Sequence, residues 1–500
     1  MGNGQEAFVH GIASGDPLSD RVVIWTRVSG VDDAAVEVAW KVARDDALSD
    51  VVASGRAITG PERDYTLSVD VPGLDPDTVY FYAFDAAGEH SPVGRTRTLP
   101  ERTEHLRFAM VSCAKFNAGF FNAYRRIAQR QDLQFLLHLG DYIYEASNKP
   151  PPTQTPGADI GRPFDPLHEC VTLDDYRRRY AQYRRDPDVQ QLHAAHPVIA
   201  TVDDHEFADG AWREGADNHR PEWGPWEDRK ARAFQAKWEW VAGRPPDPDE
   251  PSRVFRAVAL GGLADLFVLD TRTRRDQPVP PPAMHNRDRT ALGPEQREWL
   301  LNGLESSTAG WRLVANPSVM ARTWDEDLPD DLRPHLVKVK LLAPGGGGPD
   351  FDQWDGYPAE RESLLGFLRD HLITDVVVLS GDVHVSLALE MDTEGDEGEP
   401  VTVEFVTPSI TSQNLDDKMG WGRRTESVAI EDRIEAALPH WKWSDLDSHG
   451  YVVVDVRPER VRADWWFTPT VLERSDMDSH GAAWMVERGR ARVVPAPAER

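Results

Sequence analysis

The chain has 500 residues, of which 84 are acidic and 56 are basic, giving a formal net charge of −28. This excess of negative charge argues against nucleic acid or an anionic membrane as a stable partner. An anionic substrate would instead need local positive charge, which metal ions could supply. The sequence has no apolar run long enough to span a bilayer and, with only Cys113 and Cys170, no disulfide framework. Its first residues do not predict a signal peptide.

Residues 6 to about 99 predict β structure. Alternating apolar and polar residues, separated by Gly, Pro and Asp turns, occur at 21–28, 34–42, 65–71 and 73–84. This cadence is typical of a fibronectin-III-like or immunoglobulin-like sandwich, so residues 1–99 are expected to form an N-terminal β-sandwich domain. We expect this domain to be a structural brace, joined to the rest of the chain by the segment TRTLPERTEH.

From Leu106 the pattern changes to strands that alternate with helices. A strand at 107–113, a helix at 119–130 and a strand ending in LLHLG predict a βαβ unit and hence a parallel sheet. More helices are predicted at 172–185, 224–241, 294–304 and 358–372. Strand-rich segments at 401–410 and 451–467 are expected to complete an antiparallel second sheet.

These elements predict an α/β fold with αββα layers, in which two sheets pack face to face and the helices lie outside. We assign residues 100–470 to this main domain. Residues 471–500 carry few signals of a core, and they are predicted to form a tail that could cover a pocket.

Polar loops follow four of the apolar strands. They contain Ser112 and Cys113; Asp141 and Tyr144; Asp203, Asp204, His205 and Glu206; and Asp382 and His384. Open α/β sheets bind ligands beyond the carboxyl ends of their strands, so these loops are expected to converge. One such loop is usually a turn, but four loops that carry carboxylate, thiol, phenol and imidazole groups together predict a metal centre.

This layout resembles the metallophosphoesterase superfamily, whose pattern is D…GDxxY…GN(H/E)…VxxH…GHxH, and in particular the alkaline phosphatase D (PhoD) family. The resemblance is carried by GIASGDP, VIWTR, SC…GFFNAYR, HLGDYIYE, LDDYRRRYA, DDHE, WDGYPAER, SGDVH and TPSITSQN. It implies a two-sheet metallophosphoesterase domain that follows a PhoD-type N-terminal domain, with iron and calcium at its metal site.

Departures from the superfamily pattern divide the expected ligands into two sets that share Asp141. The first set joins a thiol, a carboxylate, a phenol and an imidazole: Cys113, Asp141, Tyr144 and His384. Three anionic donors suit a trivalent ion, so Fe³⁺ is expected there. The second set offers oxygen donors alone: Asp141, Asp204, Asn316 and Asp382. Such sites favour Ca²⁺ or Mg²⁺ over zinc, and we expect Ca²⁺, with Mg²⁺, Mn²⁺ and Zn²⁺ as the alternatives.

Two cations of this kind would hold and deprotonate a water that attacks phosphorus in line, without a Ser or Cys nucleophile. Asp141, as the bridging ligand, and His205 are the catalytic candidates. His205 is expected to contact the phosphate or protonate the leaving group, or alternatively to orient a neighbouring ligand. Asp203 and Glu206 are expected to support the site rather than to bind a metal.

Two arginines, Arg272 and Arg274, follow the strand predicted at 264–270. Each could contact the phosphate or, alternatively, form salt bridges at the surface. Arg272 is the candidate substrate-binding residue of the pair. His138 lies inside the strand that precedes Asp141 and is expected to be a core histidine with its hydrogen bonds satisfied.

The resemblance, together with the expected metal centre, therefore implies a metal-dependent hydrolase of phosphomonoesters and diesters that acts at alkaline pH. One alternative is a phospholipase D-like phosphodiesterase with the same site, and a more distant one is an inactive binding protein with this fold. The expected substrate is a small-molecule or lipid phosphoester. The resemblance implies a secreted or periplasmic location, with the cytoplasm as the alternative, and leaves the oligomeric state open.

Overall fold

The computed structural model describes residues 6–31, 34–147, 160–245, 247, 249–326, 328–393 and 399–497. Its N-terminal region is all-β, as predicted, and contains β1 (Ile12–Gly15), β2 (Arg21–Arg27), β3 (Val36–Ala43), β4 (Val51–Thr59), β5 (Thr66–Pro72), β6 (Val79–Ala86), β7 (Glu89–His90) and β8 (Gly94–Arg97). Strands β3, β4, β6, β7 and β8 form one sheet, whereas β1, β2 and β5 belong to a larger one. The two sheets enclose a core that includes Ile24, Val38, Leu67 and Phe84.

The larger sheet also contains β9 (Leu106–Val111), β10 (Leu136–His138), β11 (Pro197–Ala200), β21 (Gly450–Arg457), β22 (Arg460–Phe467), β23 (Ser479–Glu487) and β24 (Val493–Pro495). Its ten strands follow the order β24-β23-β22-β21-β9-β10-β11-β1-β2-β5. Strands β9, β10, β11 and β1 are parallel, and the other neighbours are antiparallel. Strands β23 and β24 come from the predicted tail, which therefore extends the edge of this sheet.

The second large sheet contains β14 (Arg256–Leu260), β15 (Ala264–Val268), β16 (Trp311–Asn316), β17 (Val376–Ser380), β18 (Ser386–Met391), β19 (Thr402–Val406) and β20 (Trp441–Asp445). Its order is β14-β15-β16-β17-β19-β18-β20, and β15, β16, β17 and β19 are parallel. A separate hairpin pairs β12 (Ala211–Trp212) with β13 (Gly215–Ala216).

The prediction that 451–467 completes the second sheet is wrong. This hairpin is β21 and β22, and β21 pairs with β9 in the first large sheet. The prediction that 401–410 is antiparallel is incomplete, because β19 pairs parallel with β17 and antiparallel with β18. Both sheets present apolar side chains to one shared core, so an apolar pattern alone does not tell which sheet a strand joins.

The helices are α1 (Asn122–Ala128), α2 (Leu173–Arg184), α3 (Pro187–Ala195), α4 (Trp226–Trp240), α5 (Gly293–Ser306), α6 (Arg333–Lys338), α7 (Pro358–Asp370), α8 (Leu415–Met419) and α9 (Glu426–Ala437). Helix α2 begins as predicted, because Thr172 and Asp175 form a reciprocal capping box that satisfies two free backbone N–H groups. None of these helices, within the part of the chain that is described, is long and apolar enough to cross a membrane.

Alternate residues of each central strand face opposite layers, as the two-residue period of a strand requires. In β9, Phe108 and Met110 point into the core between the two sheets, whereas Ala109 and Val111 face helices α1 to α4. In strand β17, likewise, Val377 points into the shared core, whereas Val376 and Val378 on either side of it face α5, α7 and α9. The expected αββα layering is therefore confirmed.

Candidate metal centre

Three neighbouring parallel strands of the first sheet end beside one strand of the second. Cys113 follows β9, Asp141 follows β10, Asp204 follows β11, and Asp382 follows β17. Carboxyl ends of parallel strands meet at one edge of a sheet, so the loops after them share a crevice. The structure therefore brings together loops that are separated by up to hundreds of residues in the chain.

Gly140 allows two of these loops to approach closely. Its φ is +102°, a conformation that favours glycine, and a Cβ at this position would lie 2.5 Å from the Cβ of Asp203. Glu206 then ties the same two loops together, since its carboxylate accepts hydrogen bonds from the backbone N–H groups of Asp141 and Asp203 at 3.0 and 2.7 Å. These contacts fix the loops against each other.

The first donor set converges as expected. One ligand atom from each of Cys113, Asp141 and His384 lies within 4.8 Å of the others. The Tyr144 hydroxyl donates to Asp141 Oδ2 at 2.7 Å and lies 3.4 Å from His384 Nε2. His384 Nδ1 lies 3.0 Å from the backbone carbonyl of Gln413, which leaves Nε2 directed at the other three donors. This second contact is what orients an imidazole for metal binding.

Burial favours the protonated forms of the acidic groups of this set in the absence of a cation. Burial, followed by the charge of Asp141, raises the pKa of the Cys113 thiol and the Tyr144 phenol well above their usual values. Burial also raises the pKa of Asp141 to about 7, with contributions from Asp204 and Asp382, although His205 lowers it. Several buried acids this close require positive charge to ionise together, and a metal ion provides it.

The second set of carboxylates adjoins the first through Asp141. Asp141, Asp203 and Asp382 offer oxygens within 4.8 Å of one another, and Asp141, Asp204 and His205 form another such group. Asp204 Oδ2 accepts from the backbone N–H of Gly210 at 2.8 Å, whereas its Oδ1 is buried without a hydrogen-bond partner among the described residues. An orphaned buried carboxylate oxygen fits a site built to hold a cation.

Asn316 lies at the end of β16 and has hydrogen bonds within the protein. Its side-chain amide donates to the Ser318 carbonyl and to Ser380 Oγ, the latter at 3.2 Å, and its Oδ1 accepts from Trp354 Nε1 at 3.0 Å. These contacts hold the amide next to the strand that leads to Asp382. The hydrogen bond from Trp354 also occupies one of the two acceptor positions of Asn316 Oδ1. Its role as a metal ligand stays a prediction.

His205 is held by an acidic partner that was not predicted. Its Nδ1 lies 2.7 Å from Glu145 Oε2, and its ring centroid lies 4.0 Å from that of Tyr144. Burial works against a positive charge on His205, but the carboxylates of Glu145 and Asp141 outweigh it and raise the pKa of the imidazole well above its usual value. Nε2 has no hydrogen-bond partner among the described residues, so this nitrogen remains available to a substrate.

The expectation that Arg272 is a surface arginine is wrong. Its side chain is fully buried and lies between three carboxylates: it pairs with Asp203, with Asp352 at 2.5 Å and with Asp382 at 2.6 Å. Arg272 does form salt bridges, as the alternative proposed, but it forms them in the interior of the protein. Arg274 pairs with Glu250 and Glu295 nearer the surface. Arg272 neutralises part of the acidic cluster, and its contact with a substrate stays a prediction.

Several residues around the centre were missed because each acts through a neighbour. Glu145 holds His205, Ser412 donates to the Tyr144 hydroxyl at 2.6 Å, and the Gln353 amide donates to Asp382. Glu145 and Ser412 lie within the segments HLGDYIYE and TPSITSQN, and Gln353 directly precedes WDGYPAER. Membership in these motifs could have marked the three residues as candidates for the site. The sequence does not tell which contact each of them makes.

Comparison with known proteins places the chain in a family. The model of the PhoD-like phosphatase family matches residues 108–465, and that of the PhoD-like phosphatase N-terminal domain matches residues 2–100. The chain belongs to the PhoD-like phosphatase family. It is 34% identical over 510 residues to alkaline phosphatase D of Bacillus subtilis (strain 168), covering 96% of this chain and 81% of that relative.

A solved structure titled "Structure of PhoD" superimposes with a TM-score of 0.86 at 32% sequence identity, covering all of this chain and 94% of that one. The resemblance inferred from the motifs is therefore confirmed, as is the fold class. As a PhoD-like phosphatase, the protein is a metal-dependent phosphoric ester hydrolase.

Proposed function

We propose that the two donor sets bind two cations that share Asp141, Fe³⁺ in the first set and Ca²⁺ in the second, with Mg²⁺, Mn²⁺ or Zn²⁺ as alternatives to Ca²⁺. The observation that carries this proposal is the convergence of a thiol, a carboxylate, a phenol and an imidazole at one buried point. Soft and anionic donors of this kind select a transition metal, whereas carboxylates alone suit a hard divalent ion.

The substrates we infer are phosphomonoesters and phosphodiesters, hydrolysed by direct attack of water on phosphorus. Bound cations would activate the water and neutralise the phosphate oxygens. His205, fixed by Glu145, presents Nε2 to the substrate; there it hydrogen-bonds a phosphate oxygen or gives its proton to the leaving alcohol. Arg272 keeps Asp203 and Asp382 in place by neutralising their charge.

The alternative for the same site is a phospholipase D-like activity on lipid phosphodiesters. Which of the two substrate classes the enzyme prefers, small molecules or lipids, is open to the test described below. The location outside the cytoplasm follows from the family resemblance and stays a prediction as well. The N-terminal strands serve, in this proposal, as a brace for the sheet that carries Cys113 and Asp141.

The ferric assignment is tested by metal content and colour. Thiolate and phenolate bound to Fe³⁺ absorb visible light, so the pure protein should be coloured and contain iron and calcium by elemental analysis. Cys113→Ser should remove or shift the absorption band and lower the iron content. Cys170→Ser is the matched control, because Cys170 is also a buried free thiol but lies in the core against the helices. Colourless, iron-free protein with full activity would contradict the assignment.

The substrate class is tested by comparing p-nitrophenyl phosphate, its bis ester and phosphatidylcholine micelles as substrates of the metal-replete enzyme. We expect hydrolysis of the first two, and a strong loss of both activities in Asp141→Asn and His205→Gln. Preferential hydrolysis of phosphatidylcholine would favour the lipid alternative. Absence of hydrolysis of all three would contradict the proposal.

A further inference from the structure

A fully buried arginine, Arg184, ends helix α2. The residue is 0% exposed, and none of its three guanidinium nitrogens has a hydrogen-bond partner among the described residues. Its Cζ lies 4.3 Å from the ring centroid of Trp25, so the guanidinium group packs over an indole of strand β2. Arginine keeps its positive charge across the pH range in which proteins fold. The fold therefore encloses a positive charge that lies against an aromatic ring.

The acidic residues that follow Arg184 in the chain are paired with other arginines. Asp186 pairs with Arg162 at 2.8 Å, and Arg474 pairs with both Asp186 and Asp188. Within the described ranges, no carboxylate lies at ion-pair distance from the guanidinium group of Arg184. Burying a charge without a counter-charge is strongly unfavourable. The structure therefore calls for a negative charge that the described residues do not supply.

Four titratable side chains near Arg184 do not provide that charge. The charge of Arg184 acts on two phenols and two imidazoles, those of Tyr82, Tyr142, His10 and His193. An imidazole carries no negative charge, and burial raises the pKa of the Tyr82 phenol above its usual value. The Tyr142 hydroxyl lies 2.7 Å from His193 Nε2 and so has a partner of its own. None of these groups is the counter-charge of Arg184.

Further hydrogen-bond donors are buried beside Arg184 and Trp25. Trp240 packs against Trp25 and His10, with ring centroids 5.9 and 5.2 Å apart. In the part of the chain that the structure describes, Trp240 Nε1, His10 Nε2 and His193 Nδ1 are buried without a hydrogen-bond partner. An indole N–H and a guanidinium group can only donate, and an imidazole nitrogen donates in one of its tautomers. A ligand that satisfies these groups must accept hydrogen bonds and carry negative charge.

We propose that a binding site for one small monovalent anion of the halide class, such as chloride, is enclosed by Arg184, Trp25, Trp240, His10 and His193. One guanidinium group supplies one positive charge, which sets the charge of the ligand. All five residues are buried, which restricts the ligand to a small ion. Water could satisfy the donors, but it would leave the charge of Arg184 without a partner. The site does not depend on the proposed function, because none of the five residues belongs to either metal-donor set.

The five side chains of the anion site come from five segments of the fold. His10 precedes β1, Trp25 lies in β2, and Arg184, His193 and Trp240 lie in α2, α3 and α4. A bound anion would therefore join the N-terminal strands to three of the helices that cover the first large sheet. A ligand that binds the folded chain alone stabilises it by mass action. The anion should therefore raise the stability of the protein as its concentration rises.

The test is thermal unfolding of the metal-replete protein at constant ionic strength, with chloride replaced in steps by methanesulfonate, a larger monovalent anion. For the wild type, we expect the Tm to rise by about 1–2 °C for each tenfold increase in chloride near saturation. Arg184→Met should abolish this dependence, because it removes the charge and keeps an unbranched side chain. Arg185→Met is the matched control: Arg185 is the next residue and is exposed, so the Tm of that variant should follow chloride as in the wild type.

A Tm that is independent of chloride in the wild type would overturn the anion site, as would a dependence that persists in Arg184→Met. If Arg184→Met does not fold, diffraction from the wild type decides. Crystals grown in bromide, a heavier halide of the same charge, should show an anomalous difference peak beside the guanidinium group of Arg184. Absence of that peak, with ordered water in its place, would show that the donors are hydrated and would overturn the proposal.

Discussion

Four residues that converge on the metal centre have a left-handed backbone, which non-glycine residues seldom adopt. The φ angles are +61° at Cys113, +56° at Asp141, +69° at Asp382 and +64° at His384. Each such residue costs on the order of 1 kcal/mol, so the conformation persists only where surrounding contacts impose it. The turn directs each side chain away from its strand and into the crevice, which is where a metal ligand is needed.

Substitutions of Arg272 and Arg274 would measure how much the buried ion pairs contribute to the stability of the fold. Removing a charge from a buried network leaves its partners uncompensated, so Arg272→Met should lower the free energy of unfolding by about 3 kcal/mol in the presence of a chelator. Arg274→Met is the matched control on the same segment. Its partners Glu250 and Glu295 are 40% and 53% exposed, so its loss should stay below about 1 kcal/mol.

Urea denaturation with and without added cations is the measurement. Cations should restore part of the stability lost in Arg272→Met, since they neutralise Asp203 and Asp382 in place of the guanidinium group. Equal losses in the two arginine variants would contradict the buried network.

At the scale of elements, local signals predicted structure where they act over a few residues. The capping box at Thr172 gave the start of α2, and alternation gave β2 and β5 nearly to the residue. Helix α3 was missed because it has nine residues and follows α2 after a break of two residues. The hairpin β21–β22 was put in the wrong sheet because strand pairing depends on distant partners.

The same distinction holds for the metal centre. Polar loops after apolar strands could be predicted to meet, because parallel strands share one edge, and the structure brings Cys113, Asp141, Tyr144 and His384 together. The burial of Arg272 could not be predicted, since an arginine beside polar residues is usually exposed.

Strand β10 carries a buried histidine whose protonation opposes folding. His138 Nε2 lies 2.9 Å from the Tyr124 hydroxyl, and burial lowers the pKa of the imidazole from 6.5 to about 3. Between these values the unfolded chain binds a proton that the folded chain does not. The unfolding free energy therefore falls as the pH is lowered through this window, by up to about 1.4 kcal/mol per pH unit for this group.

His138→Gln should reduce that slope, because glutamine stays neutral and can still accept from Tyr124. The measurement is urea denaturation at a series of pH values between about 6 and about 4. His285→Gln is the control, since His285 is exposed and its replacement should leave the slope unchanged. An unchanged slope in His138→Gln would show that other groups govern the acid sensitivity.

At the scale of the whole molecule, the N-terminal strands do more than form their own sandwich. Strand β1 pairs in parallel with β11, placing Ser14 opposite Pro197, so the sheet whose loops carry Cys113 and Asp141 continues into the first hundred residues. Trp25 Nε1 donates to the Glu239 carbonyl at 2.7 Å, and Asp16 pairs with Arg256 at 2.6 Å. These contacts are buried or nearly so, and they argue that the two regions form one cooperative unit.

A cut between the two regions would test this unity. A protease site inserted between the exposed residues Glu101 and Arg102 should allow cleavage of the folded protein. The two fragments should co-elute on size-exclusion chromatography and retain activity, because the shared sheet and its buried contacts do not depend on the connecting segment. Separation of the fragments, with an active larger fragment, would instead show that the N-terminal region is an independent attachment.

The substitution Gly15→Ala, made in the cleavable protein, tests the pairing of β1 with β11 directly. A Cβ at Gly15 would lie 1.9 Å from the carbonyl oxygen of Ala242, so β1 would have to move away from its place beside β11. After cleavage, this variant should lose its N-terminal fragment at lower urea concentrations than the cleaved parent. Because three of the proposed metal ligands, Cys113, Asp141 and Asp204, follow β9, β10 and β11, loss of the fragment should also release metal. Elemental analysis of the remaining fragment would measure that link between the N-terminal region and the site.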